Sequence, residues 1–385
     1  MNRLVALLVA TLVLVFVGLA IWQGLEHDSR RPPEKLSIRA LLNGSGDGFL
    51  RPSGDWSFRF PCDHSAHSGF RSEIWSIKGH FRDRQAQYFG FQLVLLRLAL
   101  KPGTPQRESA WAANQVYAAQ FALTDWAAGQ FETEERISRA ALGLSGASEE
   151  PVRVWVEDWS LAANGEQILH LHAAMDGYAL RLDLRPDKPL LKQGELGLNG
   201  LGAGGGFHFY LMPRLDLTGT LWLDEDVYPV SGHAWLDHAW GDVSVARGQV
   251  AMDRFSLQFE DGRDLLCLRL HRRDGSGTPI PSCVLIGVDG AIETFRRRDI
   301  RLEPDGFWAS PVDGAKYPIA WDLSLPRVGL DLAIRSPVRD QELDLGLRAW
   351  RGAVELEGRE ANGRLLGRGF VELTGYAKGN QRVTD

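Results

Sequence analysis

Beyond about residue 40, the chain alternates apolar and polar side chains with a period of two, as residues 87–97, 178–185 and 354–357 illustrate. Successive side chains of a strand point to opposite faces, so this pattern is typical of strands with one buried and one solvated face. Asx-Gly pairs separate these segments at short intervals and favour tight hairpin turns. We therefore predict an all-β fold of antiparallel hairpins, closed into barrels or stacked as sandwiches. The pairs are Asn164-Gly165, Asp176-Gly177, Asp261-Gly262, Asp274-Gly275, Asp289-Gly290, Asp313-Gly314 and Asn362-Gly363.

Two segments interrupt the alternation. Residues 131–142 are the best helix candidate, since Glu132, Glu134 and Glu135 would occupy a first turn; a charged loop is the alternative. The Gly-rich tract 197–206 has no lysine and no flanking strand–helix pattern, which argues against a phosphate-binding loop. This tract fits a flexible lid or a linker between domains.

Length and composition indicate a two-domain globular protein preceded by an export segment. The chain has 385 residues, against about 150 for a typical domain. Hydrophobic residues make up 44% of it, enough for sizeable cores, and the 13 tryptophans suit pleated sheets and apolar pockets. The net charge of -6 offers no basic surface for nucleic acid, so we expect no such partner.

The N-terminus predicts a signal peptide or a membrane anchor in residues 1–24. Arg3 precedes an uncharged run from Leu4 to Trp22, close to the roughly 20 residues that span a bilayer as a helix. Residues 18–20 (Gly-Leu-Ala) also form an acceptable cleavage site, so cleavage and retention both stay open. Residues 25–40 follow as a polar tether. In either case we expect the body on the periplasmic side of the cell envelope.

The three cysteines match no metal-binding spacing. Cys267 and Cys283 each lie in an apolar run, and the two runs could be neighbouring strands. A disulfide between them and a pair of buried free thiols are both compatible with this pattern.

The most unusual stretch is residues 232–242, which contains two histidines, two tryptophans and two aspartates. On a strand, His233, Trp235 and Asp237 would share one face, whereas His238 would lie on the other. An acid, an imidazole and an indole on one face indicate a functional site. The alternative is structural: a core tryptophan, and an aspartate that caps a turn or accepts from an arginine.

Four motifs occur in an order that resembles the carotenoid 1,2-hydratase (hydroxyneurosporene synthase) and AttH-like family. They are residues 88–92 (Tyr-Phe-Gly-Phe-Gln), 155–159 (Trp-Val-Glu-Asp-Trp), 234–241 (Ala-Trp-Leu-Asp-His-Ala-Trp-Gly) and 255–258 (Phe-Ser-Leu-Gln). The resemblance extends from about Leu42 to about Tyr376. It implies two lipocalin-like antiparallel β-barrels in tandem, which we place at residues 41–205 and 206–385. Many family members are exported proteins that accompany an ABC transporter.

The resemblance also implies four site residues. The acid of the hydratases corresponds to Asp237 with Trp235 beside it, and their upstream His-x-aromatic pair corresponds to His208 and Tyr210. Trp235 stands where the hydratases tend to have Tyr, and Tyr210 stands where they tend to have Trp. No cofactor or metal is implied.

These four side chains are chemically suited to the hydration of an alkene. Hydration of an isolated alkene needs an acid that keeps its proton in an apolar site, and aromatic faces can stabilise the carbocation. Asp237 would be the acid, Trp235 and Tyr210 the aromatic wall, and His208 the partner or base. For Glu157 and Asp158 we expect a hydrogen-bonding role between the domains.

Three functions remain open from sequence. The first is an exported protein that binds a long apolar lipid or terpenoid and hydrates an alkene. The second is a non-enzymatic accessory protein of an envelope ABC transporter permease that handles lipid or lipoprotein, in which the Asp237 motif only joins the domains. A hydrolase has little support, because the chain has no G-x-S-x-G motif.

Overall fold

The computed structural model describes residues 46–54, 56–103, 113–163, 167–192, 206–241, 250–274, 276, 278–344, 348–360 and 363–377. Within them the regular structure is strand, apart from three 3-10 helices at Cys62–His64, Arg297–Asp299 and Pro326–Val328. None of the helices in these ranges is long and apolar enough to cross a membrane. The predicted signal peptide or anchor, the tether and residues 197–205 of the Gly-rich tract lie outside the described residues.

Twelve strands form a first antiparallel sheet in the order β4-β3-β2-β1-β12-β11-β9-β8-β7-β6-β5, and β10 pairs with β11. The sheet curls toward a barrel, because β3 and β4 come back against β5 and β6. Its strands are β1 (Ser72–Arg82), β2 (Tyr88–Ala99), β3 (Gln115–Asp125), β4 (Gln130–Arg139), β5 (Ser145–Glu149), β6 (Val152–Val156), β7 (Trp159–Ala163), β8 (Leu169–Met175), β9 (Tyr178–Pro186), β10 (Leu191–Lys192), β11 (Phe207–Leu223) and β12 (Asp226–Gly241).

A second antiparallel sheet has the order β16-β15-β14-β13-β22-β21-β19-β18-β17, and β20 pairs with β21. Its strands are β13 (Val250–Phe259), β14 (Asp264–Arg272), β15 (Ile280–Ile286), β16 (Ile292–Arg296), β17 (Arg301–Ala309), β18 (Lys316–Leu325), β19 (Leu330–Arg335), β20 (Glu342–Leu343), β21 (Ala349–Glu360) and β22 (Gly363–Thr374). The predicted all-β class with two antiparallel barrel-like units is confirmed.

The division between the sheets differs from the domain boundary placed at residue 206. Strands β11 and β12 belong to the first sheet, because β11 pairs with β9 and β12 pairs with β1. The second sheet begins only at β13, beyond Gly241. The Gly-rich tract therefore precedes two strands of the first sheet instead of leading into the second.

Each sheet surrounds its own apolar core, and a smaller cluster lies between them. Trp75, Trp159 and Trp240 belong to the first core, and Trp321 and Trp350 to the second. The cluster between the sheets joins side chains of both: Leu191, Leu211 and Trp235 from the first, and Leu266, Val284 and Ile286 from the second. The two barrels thus pack against each other through the outer face of β11 and β12.

The local sequence predicted the turns correctly but predicted a helix where the structure has a strand. Glycines of the predicted Asx-Gly turns take positive φ between paired strands, including Gly177, Gly262 and Gly290. The helix expected at residues 131–142 is wrong: β4 covers most of this segment and pairs with β3 along its whole length. The ladder satisfies the backbone of β4, which overrides the preference of its glutamates for a helix start.

Cys267 and Cys283 form a disulfide, so the first of the two alternatives for these residues holds. They face each other on the neighbouring strands β14 and β15.

Candidate functional site

Strand register distributes the four predicted site residues over two faces of the first sheet. Tyr210 pairs with His238, one position beyond Asp237. Directly paired residues of an antiparallel ladder share a face, so Tyr210 and His208 project into the first barrel. Trp235 and Asp237 project outward. The shared site that the resemblance implies for Asp237, His208 and Tyr210 is therefore divided between two faces, and His238 lies with His208 and Tyr210 instead. The catalytic roles themselves stay predictions.

Inside the first barrel, Tyr210 belongs to a buried polar cluster that we call the interior relay. It is built by the loop around the first 3-10 helix together with β1, β2, β11 and β12. Its members are Asp63, His64, His67, Glu73, Arg97, Tyr210 and His238.

Glu73 is the centre of the interior relay. Its Oε1 lies 2.6 Å from His67 Nδ1 and 2.8 Å from His238 Nε2. Its Oε2 accepts from Arg97 Nε at 3.0 Å and from the backbone N–H of His67 at 2.8 Å. Burial alone would raise the pKa of Glu73, but the hydrogen bonds of His238 and His67 and the charge of Arg97 hold it well below its usual range. Glu73 is thus a fully satisfied buried carboxylate.

Tyr210 connects two imidazoles. Its hydroxyl lies 2.6 Å from His64 Nδ1 and 3.2 Å from His238 Nδ1. Burial, with the charge of His238, lowers the pKa of His64 to about 4, and burial also lowers the pKa of His238. The Tyr210 hydroxyl thus links both rings by hydrogen bonds, and His238 Nε2 continues the chain to Glu73.

His67 bridges the two carboxylates of the cluster. Its Nε2 lies 3.1 Å from Asp63 Oδ1 and its Nδ1 lies 2.6 Å from Glu73 Oε1. The ring stacks on Trp240 at 3.8 Å between centroids. His67 therefore fixes the position of Asp63 relative to Glu73.

Three atoms of the relay also lie within the reach of one metal ion, since those of His67, Glu73 and His238 are within 4.8 Å of one another. A divalent cation there would have to replace the hydrogen bonds of both imidazoles to Glu73 and would lie beside the Arg97 guanidinium. The hydrogen-bonded state fits these side chains better.

The interior relay has little room for a ligand. The cavity beside His64 and Tyr210 has a volume of about 10 Å³, which is no more than one water molecule occupies. In the described part of the chain, the relay is therefore a packed polar core.

On the outer face, Asp237 is half-buried beside Trp235, whose Nε1 donates to its Oδ1 at 3.0 Å, as expected. Here Asp237 joins a set of charged and polar residues between the sheets, which we call the interface network. Its members are Lys78, Gln92 and Asp237 from the first sheet and Arg254, Arg351 and Glu372 from the second.

The interface network holds two carboxylates among three cations. Asp237 accepts from Arg254 and lies 3.0 Å from Lys78 Nζ, which also donates to Glu372. Burial raises the pKa of Glu372, but the charges of Lys78, Arg351 and Arg254 outweigh it and lower the pKa to about 2. Each carboxylate thus accepts from cations of both sheets, which is a structural link between the barrels.

A cleft of about 610 Å³ opens between the sheets beside this network. Both sheets contribute to it, through β1, β2, β11 and β12 on one side and β13 and β22 on the other. Sequence reasoning missed its polar residues except His233, which the two-residue period correctly placed on the face of Asp237. The cleft is lined by His80, Phe81, Arg82, Tyr88, Arg214, Asp216, Leu217, Thr218, Ser231, Gly232, His233, Gln258, Phe259, Glu260 and Arg368.

Glu157 and Asp158 do not lie between the two domains, where the sequence predicted them. Glu157 and Asp158 pair with Arg136 of β4, on the surface of the first sheet. The hydrogen-bonding role between domains is therefore wrong for both residues.

Solved structures support the same architecture. An AttH protein from Nitrosomonas europaea has a TM-score of 0.74 at 27% identity, covering 86% of this chain and 100% of that one. Kievitone hydratase from Nectria haematococca has a TM-score of 0.61 at 14% identity, covering 88% and 97%. CghA with Sch210972 has a TM-score of 0.52 at 13% identity, covering 79% and 88%. The last two show the fold alone.

A search of curated proteins found no match. The sequence profile of the AttH-like family matches residues 51–376, so the resemblance inferred from the motifs is confirmed and the chain belongs to this family.

Proposed function

We propose that this protein binds a long-chain lipid in the cleft between its two sheets and acts as a non-enzymatic accessory protein of the cell envelope. This proposal rests on the difference in volume between two cavities. The cleft has about 610 Å³ and the cavity inside the first barrel about 10 Å³. Pockets for small molecules fall between roughly 300 and 1,000 Å³, so the cleft is large enough for a ligand and the cavity beside His64 and Tyr210 is not.

The surroundings of Asp237 argue against alkene hydration. An acid that protonates an alkene must carry its proton in an apolar site. Asp237 instead accepts from Trp235 and Arg254 and lies beside Lys78. Asp237 thus lies among hydrogen-bond donors of both sheets and not in an apolar site, which suits a residue that joins the barrels.

One feature of the sequence and one of the structure support a location outside the cytoplasm. The uncharged run from Leu4 to Trp22 fits export or anchoring, and the Cys267–Cys283 disulfide fits an oxidising compartment. An ABC transporter permease as partner follows from the resemblance to exported family members. Fractionation of cells that make a C-terminally tagged chain tests the location; recovery in the soluble cytosol with an intact N-terminus would refute it.

The binding proposal is tested by displacement of a fluorescent fatty-acid probe from the purified protein. Thr218 is an exposed cleft residue, so Thr218→Trp should fill the cleft and weaken lipid binding at least about tenfold. Thr294 is exposed on β16 outside the cleft, so Thr294→Trp is the matched control and should bind as the wild type does. Absence of lipid binding by the folded wild type would refute the proposal.

A parallel assay separates the two functions. Asp237→Asn keeps the side-chain shape but cannot donate an acidic proton. For an accessory protein, wild type and variant should both fail to hydrate an acyclic terpenoid alkene, and both should keep lipid binding. Hydration by the wild type that disappears in Asp237→Asn would establish the enzyme instead.

A further inference from the structure

Two imidazoles and a guanidinium meet in the cleft. His80 of β1 and His233 of β12 are directly paired and their ring centroids lie 6.0 Å apart. Arg368 of β22 faces them from the second sheet, and all three residues line the cleft. The group therefore exists only where the two barrels meet.

Two of these side chains keep a buried polar atom without a partner. His80 is 7% exposed, and its Nδ1 has no hydrogen-bond partner among the described residues. Nε of Arg368 also lacks a partner in this part of the chain, although the guanidinium contacts Glu260 and covers the ring of Tyr88. Buried polar atoms are nearly always satisfied in folded proteins, so such a pair points to a missing acceptor.

The charge around His80 is positive. Burial lowers the pKa of His80 well below its usual value, and His233, Arg368 and Arg214 lower it further. An acceptor that carries negative charge would therefore be stabilised at this point.

The positive charge is local to His80, because the cleft lining as a whole is balanced. It includes three arginines and two carboxylates: Arg214 pairs with Asp264 outside the lining, Arg368 contacts Glu260, and His233 contacts Asp216. Phe81, Leu217 and Phe259 also line the cleft, but their side chains are buried in the barrel cores, which leaves the ring of Tyr88 facing it. The cleft is therefore mainly polar and suits an anionic group.

We infer that the cleft binds the anionic head of an amphiphile, a carboxylate or a phosphate, between His80, His233 and Arg368. Nε of Arg368 and Nδ1 of His80 donate to the anionic oxygens. This inference rests on the proposed function, because it names the head group of the lipid assigned to the same cleft.

The test compares three ligands with the same 16-carbon chain: hexadecanoate, hexadecyl phosphate and uncharged hexadecanol. Each displaces the fluorescent probe from the full-length protein. We expect at least one anionic ligand to bind roughly tenfold more tightly than hexadecanol, since hydrogen bonds to charged groups exceed neutral ones. The stronger of the two anionic ligands identifies the head group.

Variants locate the site. Arg368→Gln and His80→Leu should each abolish the preference for the anionic ligand and leave the affinity for hexadecanol unchanged, which also shows that the cleft is intact. Arg364→Gln removes an exposed arginine of the same strand and should preserve the preference.

Each contrary outcome has a distinct meaning. Equal binding of all three ligands by the wild type would overturn the inference and leave the proposed function standing. A preference that survives both cleft variants would also overturn it. Failure of every ligand to bind would overturn the proposed function together with the inference.

Discussion

The buried His64 imidazole should make the first barrel sensitive to mild acid. Burial, with the charge of His238, lowers the pKa of His64 from 6.5 to about 4 in the folded protein. In the unfolded chain the imidazole is exposed and takes up its proton near pH 6.5. Between these values the unfolded state binds more protons, so stability is full above pH 6.5 and is lost as the pH falls toward 4.

The magnitude follows from the shift. One pKa unit corresponds to about 1.4 kcal/mol. Lowering the pH from 7.5 to 5 should therefore remove about 2 kcal/mol of the stability that neutral His64 contributes, and pH 4 about 3 kcal/mol. His64 is 6% exposed, so solvent screening reduces this figure little.

The assay compares urea unfolding of the full chain for wild type and His64→Gln at pH 7.5 and pH 5. Other titrating groups cancel in this comparison, because both proteins contain them. The variant should be less stable at pH 7.5, and the difference should shrink by about 2 kcal/mol at pH 5. Leu161→Ala is the control: it removes a buried apolar side chain of the same core and no titrating group, so its difference from wild type should stay constant. A difference between wild type and His64→Gln that is equal at both pH values would refute the reasoning.

Two further predictions concern the second barrel and its link to the first. Glu372→Gln removes the carboxylate that Lys78, Arg254 and Arg351 share and should cost about 3 to 5 kcal/mol in urea unfolding, whereas exposed Glu357→Gln should cost less than about 1 kcal/mol; similar losses for both would contradict a buried link. Replacing Cys267 and Cys283 by Ser should cost about 3 kcal/mol, because their separation is 16 residues. Wild type treated with a reductant should show the same loss, and an unchanged urea midpoint would count against a stabilising disulfide.

Sequence patterns predicted the local part of the site and missed its assembly. The period of two correctly grouped His233 with Asp237 on one face of β12, because alternation is a property of a single strand. The side chains that approach this face depend on register between strands. Tyr210 pairs with His238 instead of Asp237, which divides the predicted site between the barrel interior and the interface.

The interior relay and the cleft carried no sequence signal of this kind. Glu73 and His238 are separated by 165 residues, and Lys78 and Glu372 by 294. Residues so far apart meet only after the strands have paired and the barrels have packed. Neither periodicity nor motif spacing reports on those steps.

The sequence by itself determined the all-β class, the hairpin turns and the side chains of each strand that share a face. These follow from steric alternation and from the conformational freedom of glycine, which act over a few residues. Tertiary structure alone decided that β12 pairs with β1, that β11 and β12 belong to the first barrel, and that Asp237 joins the two sheets. The physical reason is that strand pairing and burial are non-local: a strand can satisfy its backbone with many partners, and the packed cores select one.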